Sequence, residues 1–303
     1  VSRMACRGDI LATLDPELRS IARFLPLGLG LQRGLRLPRA ASRVVAVIGA
    51  VRGVETAEVI PGVTVRVHRP TASGPAPTVL WLHGGGTIVG SAAQDDKWCR
   101  RIAAELGVVV VAVDYRLAPE HPYPVPVEDC YAALQWVARQ SWVDATRLAV
   151  AGASAGGLLT ASVARLARDR GGPRLAAMAL AYPMLDDRTG SVRSGRRWLM
   201  WSEQDNVIAW RWYVGSGDTN PASPARWTDL AGLPPAWVGV GTSDMLHDEA
   251  VAFAPSLVGA GVPTTLEVAD GGYHGFDQIS PGAAVSQRFI TSLFDHLRTH
   301  LAP

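Results

Sequence analysis

Six short apolar runs, separated by stretches of helical spacing, constrain this chain more than any other feature. They are Thr78 to Leu82, Val108 to Val113, Leu148 to Ala151, Ala176 to Tyr182, Ala236 to Val240 and Thr264 to Ala269. Runs this short, apolar and without alternation read as strands buried on both faces. Their alternation with helical patterns implies a mainly parallel central sheet covered by helices on both faces. Sites in such sheets lie beyond the carboxyl ends of the strands, so the residues after each run are the useful test. His83-Gly84-Gly85-Gly86 follows Leu82, Asp114 follows Val113, and Ser154, Asp244 and His274 come shortly after Ala151, Val240 and Ala269. Reactive residue types therefore collect where the fold would place a site.

The flanking segments have other rhythms. Val63, Val65 and Val67 alternate with Thr64, Arg66 and His68, as expected of a half-exposed strand in an antiparallel edge hairpin. Asp15-Pro16-Glu17 is a helix start, and Leu18, Ile21, Ala22 and Leu25 mark its apolar face. Glycines 28, 30 and 34 break the pattern between Pro26 and Pro38, which reads as a mobile loop or short helix rather than core. Residues 185–215 hold Trp198, Trp201, Trp210 and Trp212 with few β-branched residues, and read as helical insertions over the sheet. With residues 1–50 they would form a cap on a catalytic domain spanning 51–303.

Composition excludes several classes. A chain of 303 residues with 48% hydrophobic and 18% charged content is globular, and its net charge of +2 argues against dedicated nucleic-acid binding. No run approaches the roughly 18 apolar residues of a membrane-spanning helix, so no stable membrane insertion is expected. The start Val1-Ser2-Arg3-Met4 lacks a signal-peptide apolar region, which gives a cytoplasmic location by default. Cys6, Cys99 and Cys130 are too scattered for a disulfide framework or zinc site and read as structural thiols. Residues 1–50 hold eight arginines against three acids, read as a solvated face in preference to a site for an anionic surface.

Gly152-Ala153-Ser154-Ala155-Gly156 has the G-x-S-x-G form of a nucleophile elbow, a strand-to-helix turn sharp enough to hold the serine out of the sheet. Leu158, Leu159, Ser162, Val163 and Leu166 continue it at helical spacing, as that reading requires. Together with His83-Gly84-Gly85-Gly86, Asp114 to Glu120, His121-Pro122-Tyr123-Pro124, Tyr182 to Asp186, Asp244 and His274-Gly275-Phe276, the elbow resembles the hormone-sensitive-lipase branch of the α/β-hydrolases, the bacterial family IV esterases. The likeness spans nearly the whole chain. It departs at Ala153, where relatives commonly carry Asp or Thr.

The resemblance implies a carboxylic ester hydrolase with Ser154 as nucleophile. A hydroxyl needs a base to take its proton, and His274 can accept and return one because an imidazole titrates near pH 6.5. Other histidines have bland readings: His296 and His300 on a terminal helix, His68 on the edge strand and His83 as a holder of its loop. Asp244 would orient His274 and stabilise the imidazolium. Of its neighbours, Asp248 and Glu249 read as first-turn charges of a helix and Asp270 as a turn former. Backbone N–H groups of Gly84, Gly85, Gly86 and Ala155 would take the negative charge on the carbonyl oxygen, with Gly85 and Gly86 as the main donors and Gly84 setting the turn. The Asp114 to Glu120 run reads as a structural brace.

The expectation is a serine carboxylesterase for short- to medium-chain esters, working through an acyl-enzyme on a small-molecule substrate. It needs no metal or organic cofactor, and the resemblance also admits a homodimer. An amidase, lactonase or deacetylase could use the same residues, and a non-catalytic binding protein is the rival from another class.

Overall fold

A computed structural model describes residues 7–70, 74–192 and 194–302. The start at Val1 to Met4, and Cys6, lie outside the described residues. Eight strands form one sheet: β1 (Glu55–Ile60), β2 (Val63–His68), β3 (Ala76–Leu82), β4 (Val109–Asp114), β5 (Val143–Ala153), β6 (Ala177–Ala181), β7 (Ala236–Gly241) and β8 (Thr264–Ala269). Their order is β1-β2-β4-β3-β5-β6-β7-β8. β2 runs antiparallel to both β1 and β4, and every other pair is parallel. The expected edge hairpin is thus β1–β2, and the six apolar runs are β3 to β8.

Burial explains which runs were readable. Val79 to Leu82, Val109 to Val113 and Leu148 to Ala151 are sealed from solvent, because helices cover both faces of the sheet centre. The Ala155–Asp169 helix is buried along its whole first half, where Gly, Ala and Ser let it sit close on β5 and β6. Two strands differ from expectation. β5 starts at Val143, five residues before its apolar run, because its polar first half still pairs with β3 through Ala76 and Val143. β8 is not buried on both faces: Leu266 is 38% and Val268 40% exposed, because it is the last strand and pairs only with β7.

The segments before and between the strands hold the other differences. Pro26 to Pro38 is not wholly outside the core, since Leu31 is buried. Arg36–Gly49 is a helix that the sequence reading did not anticipate, with Pro38 tolerated in its first turn. Among the described residues of 185–215 only Glu203–Val214 is helical, and residues 186–192 and 194–202 are turns and irregular chain. Asp205 ties the two segments together: its buried carboxylate accepts the N–H of Leu29 at 2.7 Å and of Leu31 at 3.0 Å. Met200 N–H adds a bond to the carbonyl of Pro26 at 2.8 Å. Cys99 and Cys130 are buried free thiols that burial pushes well above the usual range, so neither is a reactive thiolate. Among the described residues no helix is long and apolar enough to cross a membrane.

Candidate active site

The serine elbow joins β5 to the Ala155–Asp169 helix at the middle of the sheet. Ser154 has φ 58° and ψ −119°, a conformation that costs a non-glycine residue about 1–3 kcal/mol. Surrounding bonds hold it there. Its N–H donates to Ala181 O at 2.8 Å, and its carbonyl accepts from Gly157 at 2.9 Å and Met184 at 3.1 Å. The flanking glycines are required by close approach: a Cβ on Gly156 would overlap the carbonyl of Leu82, and one on Gly152 would lie 2.5 Å from Gly156 O.

Three strand ends bring distant residues to one point. The Ser154 hydroxyl donates to His274 Nε2 at 3.0 Å, across 120 residues of sequence. His274 Nδ1–H donates to Asp244 Oδ2 at 2.8 Å. Because a carboxylate only accepts, Asp244 sets the tautomer that leaves Nε2 free to take the serine proton. Asp244 is itself buried and anchored, its Oδ1 accepting the N–H of Leu246 at 2.9 Å. The Tyr182 ring packs edge-on against His274 with centroids 4.9 Å apart.

The glycine loop after β3 faces the elbow. Gly84 and Gly85 line a cavity of about 580 Å³ together with Ser154 and His274. Gly85 has φ 121° and Gly86 φ 61°, whereas Gly84 has no left-handed φ. The turn is therefore made by Gly85 and Gly86, and Gly84 instead presses on the elbow, where a Cβ would come within 3.2 Å of Ser154 Cβ. Ala155 is the first residue of its helix, so its N–H has no partner within the helix. His83 is fully buried, its Nδ1–H donates to Gly84 O at 2.8 Å, and its ring stacks on Tyr115 at 4.2 Å. Burial lowers the His83 pKa, so a neutral ring holds the loop. The brace reading of Asp114 to Glu120 has its counterpart in bonds from Ala92 N–H to Asp114, Arg116 to Asp129 and Arg39 to Glu120.

The acids that sequence left as rivals are elsewhere. Asp248 is fully exposed beside His247, and Asp270 accepts from Thr242 in its turn. Glu249 lies in the first turn of its helix as expected, but not as a charge. It is buried, accepts Leu185 N–H at 2.6 Å, and burial pushes its pKa up to about 8. The folded state thus holds a proton that the unfolded state loses above pH ~4.3, and stability falls as pH rises from there towards 8. Glu249→Gln keeps the acceptor for Leu185, so it should flatten the loss of stability between pH 5 and 8 by about 3 kcal/mol, measured by urea unfolding. An unchanged slope would mean that Glu249 is already ionised.

Two further acids near the site were missed. Asp95 lines the cavity, accepts Trp81 Nε1–H at 2.8 Å, and burial raises its pKa to about 7. Asp277 accepts from the Tyr182 phenol behind His274, and burial raises it to about 6. Only the pairing Asp95-Asp96, and the position of Asp277 three residues after His274, hinted at them. His68 lies away from the site, paired with Asp96 at 3.2 Å. No group of three metal-binding side chains occurs among the described residues.

Comparison with known proteins decides the family. A family model described as alpha/beta hydrolase fold matches residues 79–278, which hold most of the sheet together with the glycine loop, Ser154, Asp244 and His274. The chain belongs to the α/β-hydrolase family. It is 40% identical over 220 residues to the esterase LipI of Mycobacterium tuberculosis, covering 69% of each chain. It is 35% identical over 294 residues to the carboxylesterase NlhH of the same organism, covering 89% of this chain and 92% of the relative. Among solved structures, a bacterial heroin esterase superposes with a TM-score of 0.86 at 34% identity, covering 97% of this chain and 99% of that one. This α/β-hydrolase is a carboxylic ester hydrolase.

Proposed function

We propose that this α/β-hydrolase cleaves short- to medium-chain carboxylic esters in two steps, with Ser154 as nucleophile, His274 as acid–base and Asp244 as its orienting group. The observation that carries the reading is the unbroken relay from Ser154 through His274 to the buried Asp244, opening into one cavity. Ser154 Oγ attacks the ester carbonyl carbon while its proton passes to His274 Nε2. The carbonyl oxygen becomes an oxyanion facing the N–H groups of Gly85, Gly86 and Ala155, with Gly84 packed against the elbow. Collapse of that intermediate breaks the bond to the alcohol, which leaves with the proton from His274. Water then gives a proton to His274 and attacks the acyl-enzyme, and the acid departs as Ser154 regains its proton.

The segment from Leu25 to Leu29, the cavity-facing side of the helix Arg36–Gly49, and residues 198–214 act as a cap. Leu25, Pro26, Leu29, Leu37, Val45, Met200 and Trp201 from these segments line the cavity, and Asp205 locks the two together. An apolar wall with a few polar groups at one end suits a short acyl chain, and a volume near 580 Å³ is in the range of small-molecule sites. A series of p-nitrophenyl esters tests this: kcat/KM should peak between butyrate and octanoate and fall steeply by palmitate. A fluorophosphonate should label Ser154 at one equivalent, read by mass spectrometry of the peptide. Unlabelled Ser154 would defeat the catalytic assignment, and a peak at palmitate the substrate range.

A further inference from the structure

The helix Arg36–Gly49 is packed inside out. Its side against the protein is small or polar: Pro38 and Gly49 are its buried residues, Ser42 accepts the N–H of Gly90 at 2.9 Å, and Arg39 bonds Glu120 and the carbonyls of Ile88 and Ala118. Gly49 lies so close to the backbone of Gln94 that any side chain would overlap it. The apolar side faces solvent, with Leu37 76%, Val44 58%, Val47 77% and Ile48 64% exposed. At about 100° per residue, Ala40, Val44, Val47 and Ile48 form one flank, bordered on its outer side by Arg36 and Arg43. On the other side it runs into Leu37, Ala41 and Val45, which line the cavity. Phe24, 83% exposed, lies beside the cavity residues Leu25 and Pro26. Exposed apolar patches of this kind mark interaction sites, and an amphipathic helix with a basic border suits a lipid interface.

We propose that this face docks on an anionic lipid surface, with Val44, Val47 and Ile48 in the headgroup–acyl boundary and Arg36 and Arg43 on the lipid phosphates. Charge selects this occupant over a second copy of the chain. The helix carries two arginines, Arg36 and Arg43, beyond the Arg39 that pairs with Glu120, and no acid at all. A two-fold contact between copies sets the same patch on both sides, so Arg36 and Arg43 would find no carboxylate of this helix opposite them. The exposed Arg33 and Arg52 on either side of the helix extend the positive border. Docking would also turn the cavity mouth towards the membrane, where an ester dissolved in lipid would meet it. The proposal goes beyond ester hydrolysis and does not depend on it.

The test is co-sedimentation of the full chain with vesicles of phosphatidylcholine alone or mixed with phosphatidylglycerol. The chain should pellet with the anionic vesicles and be released by salt. Val44→Asp with Val47→Asp and Ile48→Asp should lower the partition coefficient at least about tenfold, and Arg36→Glu with Arg43→Glu should do so by a similar factor. None of these five residues lines the cavity, so both variants should keep activity on soluble p-nitrophenyl acetate, which also reports that they are folded. No binding, equal binding to neutral vesicles, or undiminished binding by active variants would overturn the proposal. A lipid-free dimer in sedimentation velocity that the triple variant dissociates would also overturn it, and would assign the face to a second copy.

Discussion

Ser154→Ala is expected to lower kcat for p-nitrophenyl butyrate by roughly 10⁴- to 10⁶-fold, with little change in the temperature of unfolding. The substitution removes one oxygen and nothing else. Ser154 is 6% exposed, and its backbone conformation is held by its N–H bond to Ala181 O and by bonds from Gly157 and Met184 to its carbonyl, all of which an alanine would keep. The lost hydroxyl is the group that donates to His274 at 3.0 Å, so no nucleophile remains to receive the acyl group. The glycine loop and the cavity are untouched, and substrate should bind with little loss. Stopped-flow or long-time assays on protein checked for wild-type contamination give the number. A variant retaining more than a few per cent of kcat would remove Ser154 from the mechanism.

Asp244→Asn should cost about 10⁴-fold in kcat while leaving the fold intact. The reason lies in how Asp244 is anchored. Its Oδ1 accepts the N–H of Leu246 at 2.9 Å and its Oδ2 faces His274. An asparagine would keep its oxygen on Leu246 and point its NH₂ at Nδ1, because a backbone donor cannot face an amide donor. His274 would then shift to the tautomer with its proton on Nε2, aimed at the serine oxygen from which it must accept. Asp248→Asn is the matched control: it carries the same change four residues away on an exposed side chain, and kcat should not move. If Asp244→Asn stays within about tenfold of the parent, another acid orients His274, and the buried Asp277 behind it would be next to test.

The catalytic strands were legible because their burial is written in composition. A strand covered on both faces has no polar alternation, so β3 to β7 stand out as apolar runs, and the residues after them could be checked one by one. The same logic fails where burial is partial. The first half of β5 is polar yet paired, and β8, which carries Glu267 and two threonines beside Leu266 and Val268, lies at the sheet edge. It fails more completely for Arg36–Gly49, where amphipathicity points the apolar face outwards, and for Glu249, a charged residue type that burial keeps protonated.

What the sequence determined by itself was the sheet class, the elbow and the candidate residues Ser154, Asp244 and His274, since these depend on local pattern and on position after a strand. Tertiary structure alone decided the rest, because it depends on contacts between residues far apart in the chain. Asp205 joins two segments some 175 residues apart, Asp244 rather than Glu249 or Asp277 reaches His274, and the wall of the cavity is assembled from both ends of the molecule. Period and composition report which face of an element is apolar. Only the packed molecule determines what that face meets.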